Sequence, residues 1–282
     1  MDKAEAKGKQ HESWTLVAPG WGKYDPLMRT WAAPVTERMI ALAAIREGSR
    51  VLDIACGAGE PALTVAEKVG PKGSVLATDF VEEMVGFARS KAQARALSNI
   101  EFRCVDGEVI DALAGSFDAV TMRWGLMFMP DPVACMRRVN AALRPGGKAV
   151  VCCWTEAANN PFITVPLGVL KRHMVVPEPP AGAPGIFALA SPDRLRAIFA
   201  EAGFHDVAIE QVTIPMADFA TGAEYDVFIR DLAGPVASLF VQLPADVQAR
   251  VKQEIARDAE MHSSKPGRVF LQGITHVVVG TK

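Results

Sequence analysis

The chain lacks any cysteine pair at C-x-x-C spacing. Its five cysteines, Cys56, Cys104, Cys135, Cys152 and Cys153, sit in apolar stretches. Reduced core thiols in a cytoplasm are expected there, not disulfides. No His/Cys cluster has metal-ligand spacing, so no metal site is expected. No apolar run approaches the ~20 residues of a membrane span. Residues 1–7, Met-Asp-Lys-Ala-Glu-Ala-Lys, are charged and contain no apolar h-region, which argues against a secretory leader. A charge excess is missing too. The 30 Lys+Arg and 32 Asp+Glu leave a formal net charge of −2, and the basic residues form no stripe. Such a chain offers no field to nucleic acid or to an anionic membrane. No internal repeat is found, and the one biased segment is 177–185, Pro-Glu-Pro-Pro-Ala-Gly-Ala-Pro-Gly. What remains agrees with a soluble protein, expected in the cytoplasm. Half of its 282 residues are hydrophobic, enough for one large α/β core with insertions.

The most informative stretch is residues 51–59, Val-Leu-Asp-Ile-Ala-Cys-Gly-Ala-Gly. Val51, Leu52 and Ile54 read as a buried parallel strand. Asp53 brings a carboxylate to its end. Gly57 and Gly59 then remove Cβ atoms, so that a ligand can approach the backbone closely. Glu60-Pro61-Ala62-Leu63 starts a helix, with Pro61 suited to a first turn. Strand, turn and helix N-terminus form a nucleotide cradle.

Two nucleotides compete for it. Residues 57–62 fit G-x-G-x-x-G/A and Asp79 follows about 20 residues on, the pattern of a nicotinamide-dependent oxidoreductase. A helix N-terminus favours a pyrophosphate, yet Asp53 at the same turn would repel one. S-adenosylmethionine carries a sulfonium, an ammonium and no phosphate, and it suits the carboxylate better.

Further strands end in candidate contacts, as expected at the carboxyl edge of a parallel sheet. Residues 74–79 end in Asp79, suited to two ribose hydroxyls. Phe80 and Met84 follow, able to pack on an adenine face. Residues 100–106 lead to Asp106-Gly107-Glu108, where an acid can accept from an adenine amino group. Residues 117–124 form a fourth strand. The turn 143–148, Leu-Arg-Pro-Gly-Gly-Lys, feeds a fifth over 149–154.

With these residues in order, the chain resembles a class I S-adenosylmethionine-dependent methyltransferase of the ubiquinone/menaquinone-methyltransferase-like superfamily, over about residues 48–155. The resemblance implies an α/β, Rossmann-like, doubly wound seven-stranded sheet with its last strand antiparallel. It also implies that Asp53, Ala55, Gly57 and Gly59 line the methionine part of S-adenosylmethionine, and of the product S-adenosylhomocysteine. Asp79 then holds the ribose, while Asp106, Gly107 and Glu108 flank the adenine. Ala55 stands where many members carry a first glycine. Residues 123–128, Arg-Trp-Gly-Leu-Met-Phe, stand where quinone C-methyltransferases carry Arg-Asn, which argues against a quinone acceptor. No Asn/Asp-Pro-Pro-Tyr/Phe, the mark of base N-methylation, follows the fourth strand either.

The expected organisation is an N-terminal helical lid over 1–46, a cofactor core over 47–154, and a cap with its Pro/Gly loop over 155–190. The rest of the sheet follows over 191–282, with a helical insertion at about 217–265. Pro19, Gly20, Gly22 and Pro26 read as breaks in the lid, and 34–46 as an amphipathic stretch. Ser191 and Pro192 cap a helix that stops at Gly203.

Trp21 and Tyr24 are candidate lid contacts to the cofactor, with packing of the N-terminal helix onto the core as the alternative; Arg123 is a further candidate cofactor contact. Trp124, Met127, Phe128 and Trp154 are candidates for a substrate wall. His173 and His262 lie in the caps and are the candidate general bases, whereas Cys152-Cys153 reads as a core pair. The expected function is methylation, at oxygen first, of a small and fairly apolar acceptor. N- or C-methylation, an NAD-dependent oxidoreductase and a non-catalytic cofactor-binding module stand as alternatives.

Overall fold

The computed structural model describes residues 3–110, 114–176, 180 and 182–282. Residues 1–2 and 111–113, and Pro177, Glu178, Pro179 and Ala181 of the proline loop, lie outside them. The helices are α1 (Lys3–Lys23), α2 (Asp25–Leu42), α3 (Ala62–Val69), α4 (Glu82–Ala94), α5 (Pro132–Ala142), α6 (Pro161–His173), α7 (Pro192–Glu201), α8 (Gly222–Leu232), α9 (Gly234–Phe240) and α10 (Ala245–Met261). The strands are β1 (Arg50–Ile54), β2 (Ser74–Asp79), β3 (Ile100–Cys104), β4 (Phe117–Arg123), β5 (Leu143–Trp154), β6 (His205–Phe219) and β7 (Val269–Thr281). None of these helices is long and apolar enough to cross a membrane.

Seven strands form one sheet in the order β3-β2-β1-β4-β5-β7-β6. β1 pairs in parallel with β2 and β4, and β4 pairs in parallel with β5. β7 runs antiparallel to β5. The order reverses at β1, so the space past the carboxyl ends of β1 and β4 is the switch point at which such sheets bind ligands. β-Branched runs such as Ala149-Val-Val and Val277-Val-Val fill the inner strands, buried on both faces. The expected turn at 143–148 is an irregularity within β5: Phe117 pairs with Leu143 and Ala119 with Lys148. Cys104 corrects the reading of five core thiols. It ends β3, an edge strand, and is exposed, while the other four are buried.

The chain divides into two compact units. Ala33–Thr155, Ala183–Val212 and Thr275–Lys282 form the sheet-bearing unit. In it Ser191 accepts a hydrogen bond from Arg194 N at 3.4 Å and caps α7, and Asp131 caps α5. Met1–Ala32, Glu156–Gly182 and Thr213–Ile274 form the helical unit. Here Thr221 and Glu224 make a capping box on α8. Its core holds Tyr225 and Phe228, and Trp31 meets Phe228 and Phe219 edge-on at 5.6 and 5.7 Å.

The N-terminal segment differs from expectation. α1 runs unbroken through Pro19, Gly20 and Gly22, and Pro26 stands in the first turn of α2, which carries Pro34 inside it. Tertiary packing overrides local propensity here. A Cβ on Gly20 would sit 2.0 Å from Asp231 O, so this glycine lets α1 lie against α8. Gly222 has the same task against α10, where a Cβ would sit 2.1 Å from Ala256 O. The obstacle is backbone in both cases and cannot swing aside. Gly222→Ala is therefore expected to lower stability by about 2–3 kcal/mol. A denaturant melt checks this, and an unchanged midpoint would show that the helices part freely.

Candidate active site

The site is built on the end of β1. Parallel register sets Asp53 beside Ala77 of β2 and Thr121 of β4. Asp53 is wholly buried, and Thr121 Oγ1 donates a short hydrogen bond to its Oδ1. Its Oδ2 is buried without a hydrogen-bond partner among the described residues. Burial pushes this carboxyl up to about 7, against the pull of the Thr121 hydrogen bond and the Arg123 charge; Glu60 and Asp79 add to the rise.

The turn after β1 coils through left-handed backbone, with φ of +56° at Ala55, +53° at Gly57 and +122° at Gly59. Its two glycines have different duties. A Cβ on Gly59 would lie 2.7 Å from Leu63 Cδ1 and 3.4 Å from Ala88 Cα, so Gly59 packs the turn onto α3 and α4. A Cβ on Gly57 would meet nothing within 4 Å, so the backbone there faces open space. Asp79 holds the turn from β2: its Oδ2 accepts from Gly57 N at 2.9 Å and its Oδ1 from Val81 N at 3.0 Å. Glu60 leaves the turn in an ion pair with Arg95 at 2.9 Å.

Phe80 is half-buried and Met84 buried on α4. Gly107 sits tight against the end of β1, since a Cβ would be 2.7 Å from Ile54 Cγ2. Asp106 Oδ1 accepts from Glu108 N at 2.9 Å, and Glu108 Oε1 accepts from Asp131 N at the start of α5. Arg123 is buried and bridges elements: it donates to Thr36 Oγ1 at 2.8 Å and to Glu60 O at 3.0 Å. Trp124, Met127 and Trp154 are buried and Phe128 is half-buried. The Trp124 and Trp154 rings stack 4.6 Å apart. The structure thus gathers Asp53, Ala55, Gly57, Gly59, Asp79, Gly107 and Arg123 around one turn.

The remaining candidates lie in the helical unit. Trp21 Nε1 donates to Leu232 O at 3.0 Å, and Tyr24 packs edge-on against Phe228 at 5.1 Å. His173 Nε2 lies 3.1 Å from Glu254 Oε1, and His262 Nδ1 lies 2.8 Å from Asp258 O. Burial raises the Glu254 carboxyl, but hydrogen bonds from His173 and Arg172 more than offset it and leave it below its ordinary value. Cys152 and Cys153 are inert core thiols. Burial drives Cys152 well above its ordinary value and Cys153 up to about 12. Thr121, Glu60, Gly125 and Thr275 escaped the sequence reading. The register of β4 on β1 would have found Thr121; nothing local marks the other three.

These residues fit a cationic nucleoside better than a diphosphate. Asp53, Glu60 and Asp79 put three carboxylates around the turn, one with an unused buried oxygen. Fold and turn define the class, an S-adenosylmethionine-dependent methyltransferase. The chain belongs to the ubiE/COQ5 methyltransferase family, which residues 27–177 match. The demethylmenaquinone methyltransferase of Lactococcus lactis is 36% identical over 132 residues, 47% of this chain and 50% of that enzyme. The nocamycin O-methyltransferase of Saccharothrix syringae is 36% identical over 127 residues, 45% of each chain. In these two matches the chain spans half or less of the relative's length. The solved YcgJ protein of Bacillus subtilis shares the fold, with a TM-score of 0.56, 20% identity, and coverage of 88% of this chain and 97% of that one.

Proposed function

We propose that the protein methylates a small, fairly apolar acceptor, at oxygen in preference to nitrogen or carbon. The observation that carries this is the run after β4, Arg123-Trp-Gly-Leu-Met-Phe128. It follows the strand next to Asp53, and it has neither the Arg-Asn of the quinone enzymes nor the tetrapeptide of base N-methylation. The partial likeness to an enzyme named nocamycin O-methyltransferase supports the same reading.

S-Adenosylmethionine supplies a methyl group already activated on a sulfonium. The chain's own task is to orient and to exclude water. Ala55 and Gly57 would offer backbone to the methionine part, with Gly59 fixing the turn from behind. Asp53 would set its negative charge beneath the ligand's cationic centres. Asp79, already braced by two backbone donors, would take the ribose. Phe80 and Met84 would flank the adenine, and Asp106, Gly107 and Glu108 would meet its edge. Arg123 would act by holding the exit of the turn. Phe128, backed by Trp124, Met127 and Trp154, would give the acceptor an apolar wall. An oxygen acceptor also needs its proton removed. His173 and His262 are the candidate bases.

The test is turnover of S-adenosylmethionine over a panel of phenols, enols, quinols and amines, read as S-adenosylhomocysteine formed and as the product's mass and methyl shift. Methylation of a phenol or enol oxygen is expected. Methylation of quinol ring carbon alone, or of amines alone, would overturn the reading. Cofactor binding without turnover on any acceptor would make the chain a binding module.

A further inference from the structure

Trp124 is the residue whose backbone is hardest to explain by the sheet alone. It follows the last residue of β4 with φ +60°. A bulky aromatic residue rarely adopts left-handed backbone, and such strain persists only where surrounding contacts hold it. Here several contacts do. Trp124 N donates to Cys152 O at 3.0 Å, which extends the β4–β5 ladder by one residue. The indole stacks on Trp154, the last residue of β5, with the ring planes 15° apart. The Arg123 guanidinium lies 4.9 Å from the Trp124 ring centroid. The indole Nε1 donates to Thr275 Oγ1 at 3.1 Å, and that hydroxyl donates in turn to Cys153 O at 2.9 Å. Thr275 is wholly buried, so the indole N–H has a dry, directional partner.

The left-handed step sends Gly125 back across the end of β1. A Cβ on Gly125 would sit 2.7 Å from Ala55 Cβ and 3.0 Å from Met122 Cγ. Ala55 is itself left-handed, the first residue of the glycine turn. The turn after β4 and the turn after β1 are therefore in van der Waals contact through two small residues. Beyond Gly125 the chain makes a tight turn, Phe128 N to Gly125 O at 3.0 Å, and Met127 O is held by Gly185 N at 2.9 Å.

We infer that Trp124 and Thr275 form a latch that positions the cofactor turn: the indole–hydroxyl bond and the Trp124–Trp154 stack hold Trp124 left-handed, and this seats Gly125 against Ala55. Trp124 is a positioning residue in this account, and its ring is not free to grip an acceptor. The inference rests on the assignment of the 55–59 turn to S-adenosylmethionine. It adds that the turn's shape is set from β4, β5 and β7 as well as from β1 and β2.

Calorimetry with S-adenosylhomocysteine tests this, run beside thermal melts and near-ultraviolet circular dichroism of the stacked indoles. Thr275→Val leaves the indole N–H unpaired and should weaken binding about tenfold; Thr275→Ser keeps the hydroxyl and should stay within about twofold of the parent. Gly125→Ala should weaken binding by about tenfold or more, and adding Ala55→Gly, which removes the nearest obstructing atom, should recover most of the loss. The dichroism of the indole pair should change in Thr275→Val and return in Thr275→Ser. A lowered melting temperature with parental affinity in both Thr275→Val and Gly125→Ala would overturn the latch and leave the cofactor assignment standing. Should Thr275→Val fail to fold, the Gly125 and Ala55 pair decides alone. Absence of binding in the parent protein would instead refute the cofactor assignment.

Discussion

Gly57→Val is expected to abolish binding of S-adenosylhomocysteine in a protein that still folds. The Cβ position at Gly57 meets no protein atom within 4 Å, so the new side chain would enter space that the fold leaves open. The same space is where the turn offers its backbone to a ligand. Valine would fill it, and its branched Cβ would resist φ +53°. Strain at one residue costs about 1–3 kcal/mol, which an ordinary domain stability of roughly 5–15 kcal/mol absorbs. Affinity should fall by at least about a hundredfold, near 2.7 kcal/mol. Gly59→Ala is the contrast. Its Cβ would strike Leu63 and approach Ala88, so it should lower the melting temperature first. Parental affinity in Gly57→Val would show the turn to be merely structural.

The second large effect is pH dependence carried by Asp53. Its ordinary value is 3.8, and in the folded protein burial, which dominates, pushes it up to about 7. Between these values the folded state keeps a proton that the unfolded chain has released. Stability therefore falls as pH rises from about 4 to about 7, and this contribution is level above that. The span is on the order of 4 kcal/mol. Cofactor binding should run the other way, since a ligand bearing an ammonium or a sulfonium favours the ionised carboxylate. Affinity should rise with pH to about 7 and then level. Asp53→Asn should flatten both profiles. Urea unfolding and calorimetry across this range, on parent and variant, read the two effects separately. Superimposable profiles for the two proteins would remove Asp53 from the account.

The cofactor edge was legible in the sequence because its signals are local. A buried apolar run, an acid at its end and two glycines define the turn whatever surrounds it. β2 and the capped start of α7 follow from equally short patterns. The failures lie where a distant element decides. Pro19, Gly20 and Gly22 look like helix breaks in sequence, yet Gly20 serves the α1–α8 contact and the helix continues. Arg123 reads as a charge at a strand end, and only the fold shows it spanning from Thr36 to Glu60. Trp124 reads as the end of the fourth strand and a candidate for the substrate wall. Its left-handed backbone and its bond to Thr275, 151 positions along the chain, have no local signature. Sequence distance hid the latch; the parallel register hid Thr121 less well.

The central claim is that the 55–59 turn, braced by Asp79 and underlain by Asp53, is the S-adenosylmethionine site. Calorimetric titration of the parent protein with S-adenosylhomocysteine at neutral pH, with Gly57→Val as its partner, tests it most directly. The account predicts saturable heat at one site per chain in the parent and none in the variant. Absence of heat and of any thermal shift in the parent at millimolar ligand would contradict it, as would equal binding by the two proteins.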